Sequence, residues 1–314
     1  MRKYTFVKYL PFLILLGVVG CSKNTDNGTN ATITPPSKNE GPKYKGAWSV
    51  DSISNGLILY QFSQYYQPQA ANQVVNVLKL DLNNPSYKLK FVAIKNGLDS
   101  LSSVASNYDA VAGINGTFGR TYSFVKVENQ VVYPLTTPGG LHWWSNEGAF
   151  FYNGQKDLKI AYGSKDDYLL SSYHNIFSGG PILIDNYNPV GETFIGDVSG
   201  IDIDTLDYSD YRRIMGQRNP RTVIALTADN QLLLVTIDGR FAESAGMTAK
   251  EATEFLIKYF NPQYAINMDG GGSTTMYVKG KGPNGIVNYP CDNKIHNHYG
   301  QRLLYSFILI TKAD

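Results

Sequence analysis

Residues 265–275 read AINMDGGGSTT, and they decide how the rest of the chain is interpreted. The four residues before Asp269 suit a short buried strand, and the three glycines after it end that strand because glycine weakens strand structure. Consecutive glycines also let the backbone approach a bound group closely, and their amides can bind an anion. The stretch therefore predicts a strand that carries Asp269 to a ligand site. The alternative is that Asp269 only caps the turn.

Around this stretch, apolar runs that alternate with period two indicate further strands, and polar pairs between them indicate hairpin turns. Strands are predicted at 57–62, 74–82, 87–94, 148–152, 158–162, 222–227, 232–237 and 303–310, and hairpin turns at Glu128-Asn129, Asn153-Gly154 and 228–231.

Helix signals are few. Thr248 and Glu251 form a capping-box pattern ahead of an apolar face over 252–259, which predicts a helix at 248–260. A shorter helix is predicted at 101–108. The predicted fold class is α+β, a single domain with extensive mixed or antiparallel β-sheet and a few helices.

The N-terminus has the pattern of an export signal. Three cations precede an apolar stretch at 9–19, which is too short to span a bilayer comfortably. The stretch ends at Gly20-Cys21, which resembles a bacterial lipobox and predicts lipidation of Cys21. The alternative is an ordinary signal peptide with a chance cysteine.

These features divide the chain into a lipoprotein signal peptide (1–20), a flexible polar tether (21–44) and a folded domain (45–314). The expected location is the bacterial cell envelope, lipid-anchored to the membrane and either periplasmic or surface-exposed.

Composition excludes several classes of protein. Only 17% of residues are charged and 43% are hydrophobic, which excludes disorder driven by charge. Without the three cations of the signal, 25 basic residues face 26 acidic ones, so nucleic acid is not an expected partner. Cys291 lies near His296 and His298, but a structural role is favoured over that of a nucleophile.

Four further polar motifs stand at the ends of apolar runs. Asn115-Gly116 and Asp238-Gly239-Arg240 suit turns as well as sites, and Ser178-Gly179-Gly180 precedes another apolar run. Arg218 and Arg221 flank a proline turn, where two guanidinium groups suit a phosphate or carboxylate. The alternative for these two arginines is a solvated surface turn. Walker, Rossmann, Gly-x-Ser-x-Gly and His-Glu-x-x-His patterns are absent from the sequence.

In their order and spacing, these five motifs resemble the phosphodiester glycosidase family over about Val111 to Ile310. The resemblance implies hydrolysis of a sugar-1-phosphodiester, of the N-acetylglucosamine type, at the glycosidic bond, with release of free sugar and a phosphomonoester. For this reaction we assign Asp269 as the catalytic carboxylate, acting as nucleophile, base or ion ligand, with Asp238 as second choice. One departure is Gln301-Arg302, where the family often has Glu-Arg.

The remaining motif residues are expected to bind substrate or support the site. They are Asn115, Gly116, Ser178, Gly179, Gly180, Arg218, Arg221, Arg240, Gly270, Gly271, Gly272 and Ser273. No cofactor is required by this reaction, although oxygen-rich loops leave a divalent cation such as Ca²⁺ open. The expected partners are a sugar phosphodiester or glycan and, through the lipid anchor, a membrane.

Two other functions remain open from the sequence. A Tyr-rich lipoprotein on a tether suits a non-enzymatic glycan-binding surface protein. A phosphodiesterase that cuts the P–O bond would need the same phosphate-binding residues.

Overall fold

The structure is a computed structural model that describes residues 42–43, 45–137, 140–154 and 156–313. Antiparallel β-sheets form its framework. The predicted signal peptide and Cys21 lie outside the described residues, as does nearly all of the predicted tether. The strands are β1 (Ser49–Ser54), β2 (Leu57–Tyr66), β3 (Ala71–Asp81), β4 (Tyr87–Ala93), β5 (Ala112–Asn115), β6 (Phe124–Val127), β7 (Gln130–Pro134), β8 (Gly148–Gly154), β9 (Asp157–Tyr162), β10 (Asn175–Gly179), β11 (Ile182–Ile184), β12 (Arg221–Leu226), β13 (Gln231–Ile237), β14 (Tyr264–Met268), β15 (Met276–Val278) and β16 (Ser306–Lys312).

The strands are arranged in three sheets within the described part of the chain. A seven-stranded sheet has the order β1-β2-β3-β13-β12-β14-β11, a five-stranded sheet has the order β7-β6-β10-β8-β9, and a four-stranded sheet has the order β15-β5-β16-β4. The strand pairs within these sheets are antiparallel. The α+β prediction is confirmed.

The α-helices are short and lie outside the sheets. They are α1 (Leu101–Asn107), α2 (Lys165–Leu170), α3 (Val190–Thr193), α4 (Tyr211–Gly216) and α5 (Ala249–Tyr259). The predicted capping box is present at the start of α5, where the Thr248 side chain accepts from the Glu251 amide and the Glu251 side chain accepts from the Thr248 amide. No helix in the described ranges is long and apolar enough to cross a membrane.

Apolar side chains pack in two layers, one between the sheets and one between the seven-stranded sheet and α5. Between the sheets, the Phe91 ring of β4 packs 4.7 Å from the Phe177 ring of β10, centroid to centroid. On the other face of the seven-stranded sheet, Trp48 lies 5.4 Å from Phe62 and 5.9 Å from Phe255 of α5. Burial of such rings contributes a large share of core stability, and edge-to-face pairs add about 0.5–1.5 kcal/mol each.

The structure differs from the sequence prediction in three local details. Gly154 still pairs with Asp157, so the predicted turn at Asn153-Gly154 is wrong and the reversal comes after it. The last strand begins at Ser306 rather than at residue 303. Helices α2 to α4 were not predicted, because four to six residues are too few to establish a helical period.

Candidate active site

Sheet register brings the polar motifs together at one end of the neighbouring strands β13, β12 and β14 of the seven-stranded sheet. Because β12 and β14 are antiparallel, Thr222 at the start of β12 pairs with Met268 at the end of β14. Arg221 and Asp269 are the neighbours of this pair along the chain. Arg221 also pairs with Ile237, the last residue of β13, so 238–240 emerge beside them. Motifs 17 to 48 residues apart in sequence therefore meet in space.

A cavity of about 200 Å³ opens at this end of the strands. It is lined by Phe118, His142, Trp144, Tyr208, Ile214, Met215, Asn219, Arg221, Arg240, Asn267, Asp269, Gly270, Gly271, Gly272 and Arg302. A larger cavity of about 680 Å³ lies over β1, β2 and β3 and includes Asp51, Gln61, Asn76 and Lys281 among its lining residues. We regard the smaller cavity as the site because it combines a carboxylate, three guanidinium groups and the glycine run.

Asp269 is partly exposed to this cavity and firmly held. Its carboxylate accepts hydrogen bonds from the Ser273 side chain and the Gly270 amide, and its backbone carbonyl accepts from Asn115 Nδ2 at 2.6 Å. Burial raises the pKa of Asp269 to about 7, although those hydrogen bonds and the nearby Arg302 act in the opposite direction. A carboxylate with such a pKa can exchange a proton near neutral pH.

Arg221 supplies a buried positive charge on the cavity wall. Its Nε donates to Met247 O at 2.8 Å, and its Nη2 donates to Ile214 O at 2.7 Å and Gln217 O at 2.9 Å. Within the described ranges no carboxylate forms an ion pair with it. Burial and, to a smaller extent, the charge of Arg240 lower the pKa of Arg221 to about 9, so it remains charged at neutral pH.

Two further arginines complete the positive side of the cavity. Arg240, with a left-handed φ of 69°, donates from Nη2 to Asn219 Oδ1 at 3.0 Å. Arg302 forms an ion pair with Asp292 at 2.5 Å. A Cβ added at Gly271 would lie 3.1 Å from Arg240 Nη2, and one at Gly272 would lie 2.4 Å from Arg302 Nη2. The glycine run therefore gives two arginines room to reach the cavity.

Arg218 and Asp238 are not brought into this cavity. Arg218 pairs with Glu251 at 2.6 Å and donates to Gln69 O at 2.7 Å, which holds the start of α5. Asp238 is buried, and its carboxylate accepts from Asn288 Nδ2 at 2.8 Å and from the Tyr289 amide at 3.0 Å. Burial raises the pKa of Asp238 to about 7. Arg218 therefore connects the segment before β12 to α5, and Asp238 connects the end of β13 to the segment at 288–289.

The Asn115-Gly116 motif has a framework position behind the cavity. The Asn115 side chain binds the Asp269 carbonyl with its amide nitrogen and accepts from Thr222 Oγ1 and the Thr275 amide with its oxygen. A Cβ at Gly116 would lie 2.6 Å from Ser306 Oγ. The motif therefore positions the backbone that bears Asp269.

The Ser178-Gly179-Gly180 motif also has framework contacts. Ser178 Oγ accepts from the Phe124 amide at 2.7 Å and is fully buried. A Cβ at Gly179 would lie 2.7 Å from Met268 Sδ, and one at Gly180 would lie 1.8 Å from Trp144 O. These glycines allow close packing behind the cavity.

Several lining residues were not identified from sequence as site residues. Arg302, Asn219 and Asn267 carry polar groups, and Phe118 and Tyr208 carry rings. Asn267 lies within 265–275 and Asn219 lies between Arg218 and Arg221, but no local pattern marks them as cavity residues, so only the tertiary structure reveals their position. Gln301 does not line the cavity, because its side chain binds Ser102 at the start of α1.

Aromatic residues near the cavity divide into buried and exposed rings. Trp144 is buried, packs 5.0 Å from Phe118 and lines the cavity. Trp143 is 42% exposed and packs against Phe194 and Tyr211. No group of three His, Cys, Asp or Glu side chains in the described part of the chain could hold a metal ion. A divalent cation such as Ca²⁺, which the oxygen-rich loops leave open, stays a prediction from the sequence.

One family model matches the part of the chain that contains the cavity. A model of the phosphodiester glycosidase family matches residues 108–311, which include every residue of the cavity wall. The chain belongs to the phosphodiester glycosidase family. The members of this family are hydrolases, and the matched range agrees closely with the predicted one, about 111 to 310.

Mammalian relatives are similar over part of the chain. N-acetylglucosamine-1-phosphodiester alpha-N-acetylglucosaminidase of Bos taurus is 32% identical over 90 residues, which are 29% of this chain and 16% of the relative. The Mus musculus protein of the same name is 29% identical over 139 residues, 43% of this chain and 25% of the relative. The chain thus spans about a quarter or less of the length of these relatives.

Solved structures share the fold of this family member. The catalytic domain of zebrafish N-acetylglucosamine-1-phosphodiester alpha-N-acetylglucosaminidase, auto-inhibited by its pro-peptide, has a TM-score of 0.58 at 18% identity and covers 85% of this chain and 87% of that chain. A hypothetical protein from Synechocystis has a TM-score of 0.57 at 12% identity, covering 84% of this chain and 63% of that chain.

Proposed function

We propose that this protein hydrolyses a sugar-1-phosphodiester at the glycosidic bond and releases free sugar and a phosphomonoester. Family membership supports the reaction class, and the names of the mammalian relatives favour N-acetylglucosamine or a similar sugar. The cavity supports the phosphodiester part of the substrate.

The observation that carries the proposal is the buried, uncompensated charge of Arg221 on the same cavity as Asp269. An unpaired buried guanidinium is costly, and a bound anion offsets that cost. Arg240 adds a second cation without a carboxylate partner among the described residues. A phosphate diester carries the single negative charge that such a pair of guanidinium groups binds well.

The reaction needs little acid assistance, because a phosphomonoester leaves as a stable anion. Water supplies the oxygen that bonds to the anomeric carbon, the C–O bond to the leaving phosphate breaks, and the proton of the water passes to the phosphate or to solvent. Positive charge develops at the sugar ring in the transition state. The ionised Asp269 carboxylate stabilises that charge or attacks the anomeric carbon, and the arginines stabilise the departing phosphate.

Hydrolysis in ¹⁸O-labelled water tests this assignment with purified residues 45–314 and sugar-1-phosphodiesters. Label in the released sugar is the expected result, since it reports cleavage at the anomeric carbon. Label in phosphate would instead show a phosphodiesterase. Binding without turnover would show a glycan-binding protein, and Asp269→Asn is the control for contaminating activity.

We also propose that the protein is anchored to the bacterial cell envelope through lipid on Cys21. The support is the order of basic residues, apolar stretch and Gly20-Cys21 in the sequence. Cys21→Ala should move the protein from the membrane fraction to a soluble or unprocessed form. An unchanged membrane fraction would contradict the lipid anchor.

A further inference from the structure

A second cavity adjoins the candidate active site and shares part of its wall. This cavity has a volume of about 320 Å³ and is lined by Arg240, Phe241, Cys291, Asp292, Lys294 and Arg302. Arg240 and Arg302 also line the first cavity. Because Arg240 lines both cavities, a group esterified to a phosphate bound by Arg221 and Arg240 would lie next to the second cavity.

The charges of the second cavity do not balance. Asp292 is paired with Arg302, whereas neither Arg240 nor Lys294 has a carboxylate partner within the described ranges. Burial raises the pKa of the Cys291 thiol, so this group adds no negative charge at neutral pH. The wall therefore carries two uncompensated cations, one of which is shared with the first cavity.

Lys294 stands on a defined turn rather than on a loose loop. Its amide donates to Cys291 O at 3.1 Å, and the Asp292 amide donates to Gly300 O at 3.2 Å. Lys294 has a left-handed φ of 61°, and the next amide, that of Ile295, donates to Asn293 Oδ1 at 3.0 Å. These bonds fix the backbone of Lys294, and its exposed side chain is part of the lining of the second cavity.

From this arrangement we infer that the second cavity is a subsite for a second anionic group on the leaving side of the substrate. The inference rests on the proposed function for the identity of the first phosphate. The preferred substrates would be sugar-1-phosphodiesters whose leaving group carries a further phosphate, as in a chain of phosphodiesters. Lys294 is then a specificity-determining residue that takes no part in bond cleavage.

Product analogues test the subsite without requiring turnover. Glycerol 3-phosphate carries one phosphate and glycerol 1,3-bisphosphate carries two, and their dissociation constants are measured by calorimetry at low ionic strength. We expect the wild-type chain to bind the bisphosphate about tenfold more tightly, since hydrogen bonds between charged groups are strong. In Lys294→Ala that preference should fall to about threefold or less, with the affinity for glycerol 3-phosphate unchanged.

Lys156→Ala is the matched control, because Lys156 is exposed and does not line either cavity. This variant should keep the full preference for the bisphosphate. If Lys294→Ala keeps it too, or if the wild-type chain binds both probes equally, the subsite is refuted.

Turnover of the two matched sugar-1-phosphodiesters, which release these same products, separates this inference from the proposed function. If the wild-type chain turns over both substrates but shows no binding preference for the bisphosphate, the subsite alone is refuted. Absence of turnover with the Lys294-dependent preference intact would refute the proposed hydrolysis and leave the subsite supported.

Discussion

Asp269 and Asp238 look alike in sequence and in electrostatics, yet the fold gives them different surroundings. Each follows a strand and precedes a glycine, and burial raises the pKa of each to about 7. Asp238 is fully buried and bound by Asn288 and Tyr289, whereas Asp269 reaches the cavity. A raised pKa therefore marks a desolvated carboxylate, and only access to a cavity distinguishes a reactive carboxylate from one that holds the structure together.

The two arginines of the proline turn show the same contrast. Arg218 is neutralised by Glu251 and holds a helix, whereas Arg221 donates to carbonyl groups and retains an uncompensated charge. Arg221 is the first residue of β12, whereas Arg218 precedes the strand, and the two side chains contact different segments. The pairs Asp269 with Asp238 and Arg221 with Arg218 can each be tested by matched substitutions.

The largest effect is expected for Asp269→Asn. The amide keeps the shape of the carboxylate but loses its charge, so kcat on a sugar-1-phosphodiester should fall at least about a hundredfold, with a near-native melting temperature. The matched variant Asp238→Asn should lower the melting temperature, because one of two accepted hydrogen bonds is lost, while kcat of the folded protein stays near that of the wild type. The reverse ranking of the two kcat values would make Asp238 the catalytic carboxylate.

A smaller loss is expected for Arg221→Ala. Removal of a charge-assisted contact with phosphate costs roughly 1.5–3 kcal/mol, which lowers kcat/KM about tenfold to a hundredfold. Because the guanidinium also binds Met247 O and Ile214 O, thermal unfolding is measured alongside. A folded variant with normal kcat/KM would show that Arg221 serves the framework only.

The pH dependence of kcat/KM should report Asp269. Its pKa of about 7 means that the ionised form is gained as pH rises, so kcat/KM should increase through pH 7 and fall about fivefold from pH 7 to pH 6. Asp238→Asn should retain this limb of the profile. If that variant abolishes the limb, the titrating group is Asp238.

The smallest effect is expected for Arg218→Ala. The Arg218 and Glu251 side chains are 35% and 17% exposed, so solvent weakens their ion pair. Its loss should cost about 1 kcal/mol or less and lower the melting temperature by about 2–4 °C. Normal kcat/KM is the expected companion result, and a tenfold loss would place Arg218 in phosphate binding.

Much of the sheet framework could be predicted from sequence because alternation and turn chemistry are local. The predicted strands at 57–62 and 74–82 overlap β2 and β3, and the hairpin at Glu128-Asn129 and the capped helix α5 are present. All four follow from patterns within about a dozen residues. The helices of 165–216 have four to six residues each. Tertiary contacts stabilise such short helices, so the sequence shows no helical periodicity there.

The candidate site could be predicted only in part. The motif around Asp269 and the arginine at 221 line the cavity, whereas Ser178, Gly179 and Asn115 lie behind it. Glycines and small polar residues suit close packing of backbone as well as binding of a ligand, and sequence does not separate these uses. Arg302 was missed because it lies in the segment before β16, and only the tertiary structure brings this segment close to Asp269.

By itself, the sequence determined the secondary-structure pattern and the membership of the motif string in one family. It did so because alternation, capping and glycine placement act over a few residues. Which carboxylate and which arginine face the cavity was decided by the tertiary structure alone. The register of β12 against β13 and β14 sets that outcome, since pairing between distant segments determines which charges find a partner and which remain free to bind a ligand.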